Sequence, residues 1–276
     1  PLHEVLGILP EHFERYDHAK RYKAVHVAKV VRANWKVVAE AFMESWHTVD
    51  THPQIMPYLA CVNSQYDVYS DYISRQISAQ GIASPHIAGK ITEQEIVDAM
   101  LPMSRVSSGI DSMTVPEGGS ARKIVAQLRR ENMSRDHGRD YSHAGEAEMM
   151  DAILYNVFPN FSVWGGFPTN LVYRWRPNGM DPNSAIMEAM YMAPIPEGQP
   201  RPDPAPCHWV SEEGGWKEAE ELGGLADVFV QDEGNLPYVQ EGLNASWNKK
   251  VIFSNYNEMR IRQMHITLDK YLNDEV

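Results

Sequence analysis

The stretch NWKVVAEAFMESWHTVDTHP, Asn34 to Pro53, puts two histidines and two glutamates into what reads as an amphipathic helix. Asn34 is a favourable N-cap, and Trp35, Val38, Phe42 and Trp46 recur at helical spacing on one side. Glu40, Glu44 and His47 stand at i, i+4 and i+7, so they share a second face. His52 lies five residues past His47, roughly 140° round an ideal helix. An unbroken helix therefore aims the two imidazoles apart. Pro53 and the β-branched Thr48, Val49 and Thr51 favour a helix end. The expectation is that the helix opens or ends between His47 and His52. On spacing alone the two histidines read as unrelated surface residues.

Outward from this stretch the patterns alternate between strand and helix. Tyr58 to Gln80 is rich in Tyr, Val and Ile, in an alternation that predicts one or two strands. Thr92 and Glu95 form a capping box ahead of Ile96, Ala99, Met100 and Met103, and a further helix is expected from Ala121 to Met133. Ala152 to Trp164 and Asn170 to Pro177 read as strands joined by a Gly-Gly and Pro turn. Ser184 to Ile195 has a helical composition but alternates, and is read as a strand. Pro196 to Trp209 is too rich in proline for either element and is expected to be an exposed loop. From about Gly215 to Leu272 the pattern is helical, with breaks near Gly234 and around Ser246 to Asn255. The class is α+β: a mainly antiparallel sheet with helices to one side, ending in a helix.

The composition narrows the functions available. With 25 Lys+Arg against 37 Asp+Glu, the net charge of −12 lacks the electrostatic footprint of a nucleic-acid binder. The short basic runs Lys20-Arg21 and Arg129-Arg130 read as solvated helix faces. No apolar run approaches the ~20 residues that span a bilayer, so no membrane partner is expected. Cys61 and Cys207 are the only cysteines, which fits a reducing cytoplasm and excludes both a disulfide framework and a cluster held by four cysteines.

The opening stretch resembles the start of the catalytic domain in Rieske-type non-haem iron, aromatic-ring-hydroxylating oxygenase α-subunits. The matching positions are Asn34-Trp35-Lys36, Glu40, Glu44, Trp46-His47 and His52. Three later stretches resemble the same family in the same order. NVFPNFSVW (Asn156 to Trp164) matches its central strand, RWRPNGMDPNS (Arg174 to Ser184) the hairpin after it, and VFVQDEGNLPYVQEGL (Val228 to Leu243) the segment that supplies an acid. NEMRIRQMHITLDKYL, near the end, is similar to the closing helix. The resemblance spans roughly the whole chain.

The resemblance implies a helix-grip-like curved antiparallel sheet with packed helices and a C-terminal helix, residues 1–276 forming one mononuclear-iron catalytic domain. It implies that His47, His52 and Asp232 ligate Fe(II), with Asp227 and Glu233 competing with Asp232 for the third place. Two imidazoles and one carboxylate leave open positions for O₂. Glu44 falls where the family carries an acid that links a ligand histidine to a Rieske-cluster histidine of the neighbouring subunit. The family more often has Asp there, so Glu44 keeps the charge and lengthens the reach. Asn160, Trp164, Met43 and Phe167 are expected to meet substrate; Met100, Met103 and Met149 are further apolar candidates.

A 2Fe-2S Rieske cluster needs Cys-x-His and Cys-x-x-His pairs, and neither Cys61 nor Cys207 belongs to one. The cluster is therefore expected on a preceding domain of a longer polypeptide, the chain starting at Pro1 and not Met, or on a partner. The implied reaction is O₂-dependent hydroxylation, dihydroxylation or oxidative demethylation of a small apolar, aromatic or polycyclic substrate. A ferredoxin and reductase would supply electrons, in a cytoplasmic homo-oligomer, a trimer or hexamer. A non-catalytic domain that binds hydrophobic ligands, or a zinc hydrolase, would use a similar residue set. His26, His137 and His143 read as surface residues, and His208 as a loop residue within reach of substrate.

Overall fold

The computed structural model describes residues 2–108, 113–168, 170–248 and 250–275; Met103 lies outside the residues whose side chains are described. Two short helices, α1 (Leu2–Leu6) and α2 (Leu9–Phe13), precede the long strand β1 (Arg21–Val31). Next come α3 (Trp35–Glu40), the single turn α4 (Thr48–Thr51) and the hairpin β2 (Gln65–Val68) and β3 (Ile73–Ser78). Helices α5 (Glu93–Ser108), α6 (Ala121–His137) and α7 (Glu146–Met150) lead into a meander of β4 (Ala152–Val157), β5 (Phe161–Trp164), β6 (Leu171–Asn178) and β7 (Asp181–Pro194). A two-residue strand β8 (His208–Trp209) and helices α8 (Leu225–Ala245) and α9 (Met259–Leu272) come last.

The strands form one sheet in the order β2-β3-β4-β5-β6-β7-β1-β8. Every neighbouring pair is antiparallel except β1 with β8, which is parallel at Val27 and Ala28. Period-two alternation assigns each strand's side chains to one of two cores. On β6, Leu171, Tyr173 and Trp175 join Ala185, Met187 and Ala189 of β7 under α3 and α8. The opposite face carries Val172, Ile153, Tyr155 and Met190 beneath Leu6, Leu9 and Phe13 of the N-terminal helices. A third apolar cluster packs Val97 and Met100 of α5 against Val125, Ala126 and Met133 of α6, with Met149 and Phe167. The class is thus α+β and helix-grip-like, as the alternation and the resemblance imply. No helix among the described residues is long and apolar enough to cross a membrane.

Several local expectations change. The helix begun at Asn34, whose side chain accepts from the Lys36 amide, ends at Glu40 and not beyond His47. Ser45 ends it by tertiary bonding: its hydroxyl lies 2.7 Å from the Cys61 carbonyl and 2.9 Å from the Tyr66 hydroxyl, and its amide donates to Tyr66 Oη. Glu40 therefore leaves the shared face and pairs with His265 of α9 at 2.7 Å. Helix α8 runs unbroken through Gly234, and through Pro237, because Ala226, Phe229 and Leu236 anchor it in the core. The proline-rich segment includes the small strand β8; Ala205 donates to the Lys23 carbonyl and Arg201 to the carbonyls of Ala19 and Arg21. Neither Arg21 nor Arg129 is solvated: they are 3% and 5% exposed.

Candidate metal centre

α4 is one helical turn, with His47 at its N-cap and His52 at its C-cap. The Thr51 amide donates to the His47 carbonyl and the His52 amide to the Thr48 carbonyl. The break in helicity thus precedes His47, and a single tight turn separates the histidines. Their rings approach edge to face, with centroids 5.3 Å apart. The 140° divergence of an unbroken helix is avoided because the residues flank a single turn that ends at Thr51.

Asp232 reaches these rings from α8, 6% exposed in the wall of the helix. Its Oδ1 lies 2.9 Å from His52 Nε2 and 3.8 Å from His47 Nε2. One ligand atom from each of His47, His52 and Asp232 lies within 4.8 Å of the others. The two competing carboxylates are engaged elsewhere. Glu233 takes the buried Lys29 ammonium at 2.6 Å, and Asp227 pairs with Lys217 on the surface at 2.9 Å.

Each ring is held from its far side. His47 Nδ1 lies 2.6 Å from Glu44 Oε1, while Glu44 Oε2 accepts from the Trp46 and His47 amides, capping the start of α4. His52 Nδ1 lies 2.9 Å from Gln231 Oε1, and Gln231 is in turn hydrogen-bonded to Gln54. With Nδ1 protonated as donor in both rings, both Nε2 lone pairs face the Asp232 carboxylate. This is the tautomer that metal-ligating histidines adopt. Burial pushes the His47 pKa down, but the Glu44 carboxylate, aided by Asp232, outweighs it and holds the ring above its ordinary value. The set of two imidazole nitrogens and one carboxylate suits a divalent first-row metal. Gln231 belonged to the acid-bearing motif, but its role depends on the 179-residue separation from His52 and is invisible in the local pattern.

Beside the triad lies a cavity of about 220 Å³ between the sheet and the helices, lined by His47, His52 and Asp232, by Phe42, Trp164 and Tyr173, and also by Met100 and Arg129. Of the substrate residues expected from sequence, Trp164 lines it. Met43, Asn160 and Phe167 do not. Met43 packs on Ile261 and Met264 beneath α9, because the break after Glu40 turns it away. Asn160 sits in the β4–β5 turn, where its carbonyl accepts from the Trp175 amide. Phe167 fills the cluster around Tyr16 and Tyr141. Met149 is fully buried in that same cluster. His208 pairs with Glu221 at 2.7 Å, and His26 is no surface residue, being engaged by Glu188 and Lys23.

The model of the ring-hydroxylating α-subunit catalytic domain matches residues 13–274. No curated protein matches the sequence. Among solved structures the chain is similar to the quaternary ammonium Rieske monooxygenase CntA in complex with an inhibitor, at 11% identity and a TM-score of 0.54, over 98% of this chain and 56% of that one. It is similar also to a naphthalene 1,2-dioxygenase variant bound to phenanthrene, at 13% identity and a TM-score of 0.53, over 98% of this chain and 60% of that one. At these identities the likeness is one of fold. The chain spans little more than half the length of these relatives.

Proposed function

The chain belongs to the family of ring-hydroxylating oxygenase α-subunit catalytic domains, and from that premise we propose that it oxygenates a small, largely apolar substrate with O₂ at an Fe(II) held by His47, His52 and Asp232. The observation that carries this reading is the convergence of the two Nε2 atoms and Oδ1, with both rings oriented from behind by Glu44 and Gln231. Iron held by these three residues would supply O₂ activation, with electrons from a 2Fe-2S Rieske cluster.

The rest is the work of this chain's own residues. Glu44 holds the proton on His47 Nδ1 and fixes its ring plane; Gln231 does the same for His52. The aromatic walls at Phe42, Trp164 and Tyr173 exclude water and position an aromatic or polycyclic body beside the triad. The outcome is hydroxylation, dihydroxylation or oxidative demethylation. This chain lacks the cysteine–histidine pairs for the cluster, so a further domain or a partner bears it, reduced by a ferredoxin and reductase. Glu44 is the link from His47 to that cluster across a subunit boundary, in a cytoplasmic homo-oligomer.

Anaerobic addition of Fe(II) followed by metal analysis tests the proposal. Near-stoichiometric iron in the wild type, lost in His47→Ala, is expected. Substoichiometric iron that His47→Ala leaves unchanged would reduce the chain to a ligand-binding domain. Tight zinc with reductant-independent hydrolysis would overturn the redox reading.

A further inference from the structure

Three arginines of the described chain are almost fully buried, and they differ in how their donors are met. Arg21 is 3% exposed and gives each guanidinium nitrogen a carbonyl, from Tyr16, Phe167 or Met192. Arg260 is 1% exposed and gives each nitrogen an oxygen, the Ser74 hydroxyl or a carbonyl of Met43, Gln76, Leu154 or Asn156. Arg129 is 5% exposed and bonds only through Nη1, to the Met149 carbonyl at 2.7 Å and the Met150 sulfur at 3.6 Å. Its Nε is buried without an acceptor, and its described hydrogen bonds both run from Nη1. No carboxylate among the described residues pairs with it; the ionisable groups that act on it are the phenols of Tyr58 and Tyr191. Burial pushes its pKa down, to about 10, which leaves it a cation at neutral pH.

A buried cation without a counter-charge is costly, and proteins retain one where a partner neutralises it. Arg129 lies in the wall of the same cavity as the metal triad, as do Tyr58 and Tyr191. Arg21 and Arg260 do not line that cavity. The Tyr58 phenol, pushed up to about 12 by burial, stays protonated and so is able to donate. A planar guanidinium and a neutral phenol, both donors, match the two oxygens of a carboxylate. The remaining wall is mostly apolar and aromatic.

We propose that Arg129, with Tyr58, binds an anionic group of the substrate, so that the substrate is an amphipathic organic acid whose apolar body lies towards His47, His52 and Asp232. This rests on the oxygenase reading for what happens to the body, but the acid-binding site stands on Arg129 and Tyr58 and needs no metal. The carboxylate end anchors, and the carbon skeleton is presented to the metal.

The test is equilibrium binding by calorimetry of matched pairs, benzoate against benzamide and 2-naphthoate against 2-naphthamide, to the whole chain under anaerobic conditions, metal-free and Fe(II)-loaded. The carboxylates are expected to bind at least about tenfold tighter than the amides in both metal states, since a charge-assisted, geometrically matched bond is lost in the amide. Arg129→Met is expected to remove that preference with little effect on the amides, and Tyr58→Phe to weaken the carboxylates about threefold. If Arg129→Met does not fold, the wild-type pairs and Tyr58→Phe decide. Equal affinity for acid and amide, or no saturable binding of either acid, overturns the proposal. So does a carboxylate preference that appears only with iron and survives Arg129→Met, because the acid is then a metal ligand; that outcome leaves the oxygenase reading intact. An Arg129-dependent preference in a protein that never retains iron supports the acid site and removes the oxygenase reading.

Discussion

Two buried carboxylates on opposite faces of the sheet show how environment assigns a role. Glu188 of β7 is 2% exposed and meets Arg174 at 2.5 and 2.7 Å, Arg176 at 2.9 Å and His26 at 3.2 Å. Arg174 stands directly across the ladder from it. Both arginines carry permanent charge, so Glu188 is neutralised under all ordinary conditions. Asp232 is also buried, at 6% exposure, but faces two imidazoles, whose charge is conditional and whose Nε2 lone pairs point at it. The first arrangement consumes all its partners and fixes strand pairing. The second collects donor atoms and is neutral only when something cationic joins them.

This contrast can be broken at either centre. His52→Ala and Asp232→Ala should lower iron retention at least about 100-fold, beyond the ~10–100-fold that outer partners contribute. Metal analysis checks that loss, and circular dichroism should show the fold intact. Glu188→Ala should do the reverse: a loss of about 2–4 kcal/mol in denaturant unfolding, because removing one member strands the others, with iron content unchanged. Loss of iron in Glu188→Ala at full folding would erase the distinction. Glu44→Gln sharpens it from the metal side. The amide cannot accept from both the His47 ring and the backbone of α4, and iron affinity should fall about 10-fold, read by competitive chelation.

The smallest effect is on the acid limb of stability. Burial alone would raise the Glu188 pKa, but the hydrogen bonds from Arg174, Arg176 and His26 outweigh it and hold the carboxyl at about 2. Its folded pKa lies below the ~4.3 of an unfolded glutamate. The stabilisation is therefore full above that value and is lost as pH falls through it towards 2. Melting temperatures measured from about pH 5 down to about pH 2 should drop more steeply in the wild type than in Glu188→Gln.

What was legible in the sequence follows the range of the forces involved. The strand alternation, the Asn34 cap and the Thr92–Glu95 box are local, and the structure keeps them, with the Thr92 amide 2.7 Å from Glu95 Oε2. The histidines and the acid were legible through motif resemblance, because residue types persist where geometry is hidden. The helix break was misplaced, since the Ser45 bonds that end the helix come from Cys61 and Tyr66, beyond any local window. Gly234 signalled a break that core packing overrides. Arg129 was read as solvated because a basic pair on a helix normally is; its burial exists only once α6 packs against α7 and the sheet.

The proline-rich segment beside β1 has a consequence for how this protein meets its neighbours. β1 is eleven residues long, yet β8 pairs with it at only two positions, and Ala205 and Arg201 tie the remaining segment along its edge. Prolines 200, 202, 204 and 206 carry no amide hydrogen. The sheet therefore ends on this side in a ribbon that cannot template another strand, which protects this edge from edge-to-edge aggregation.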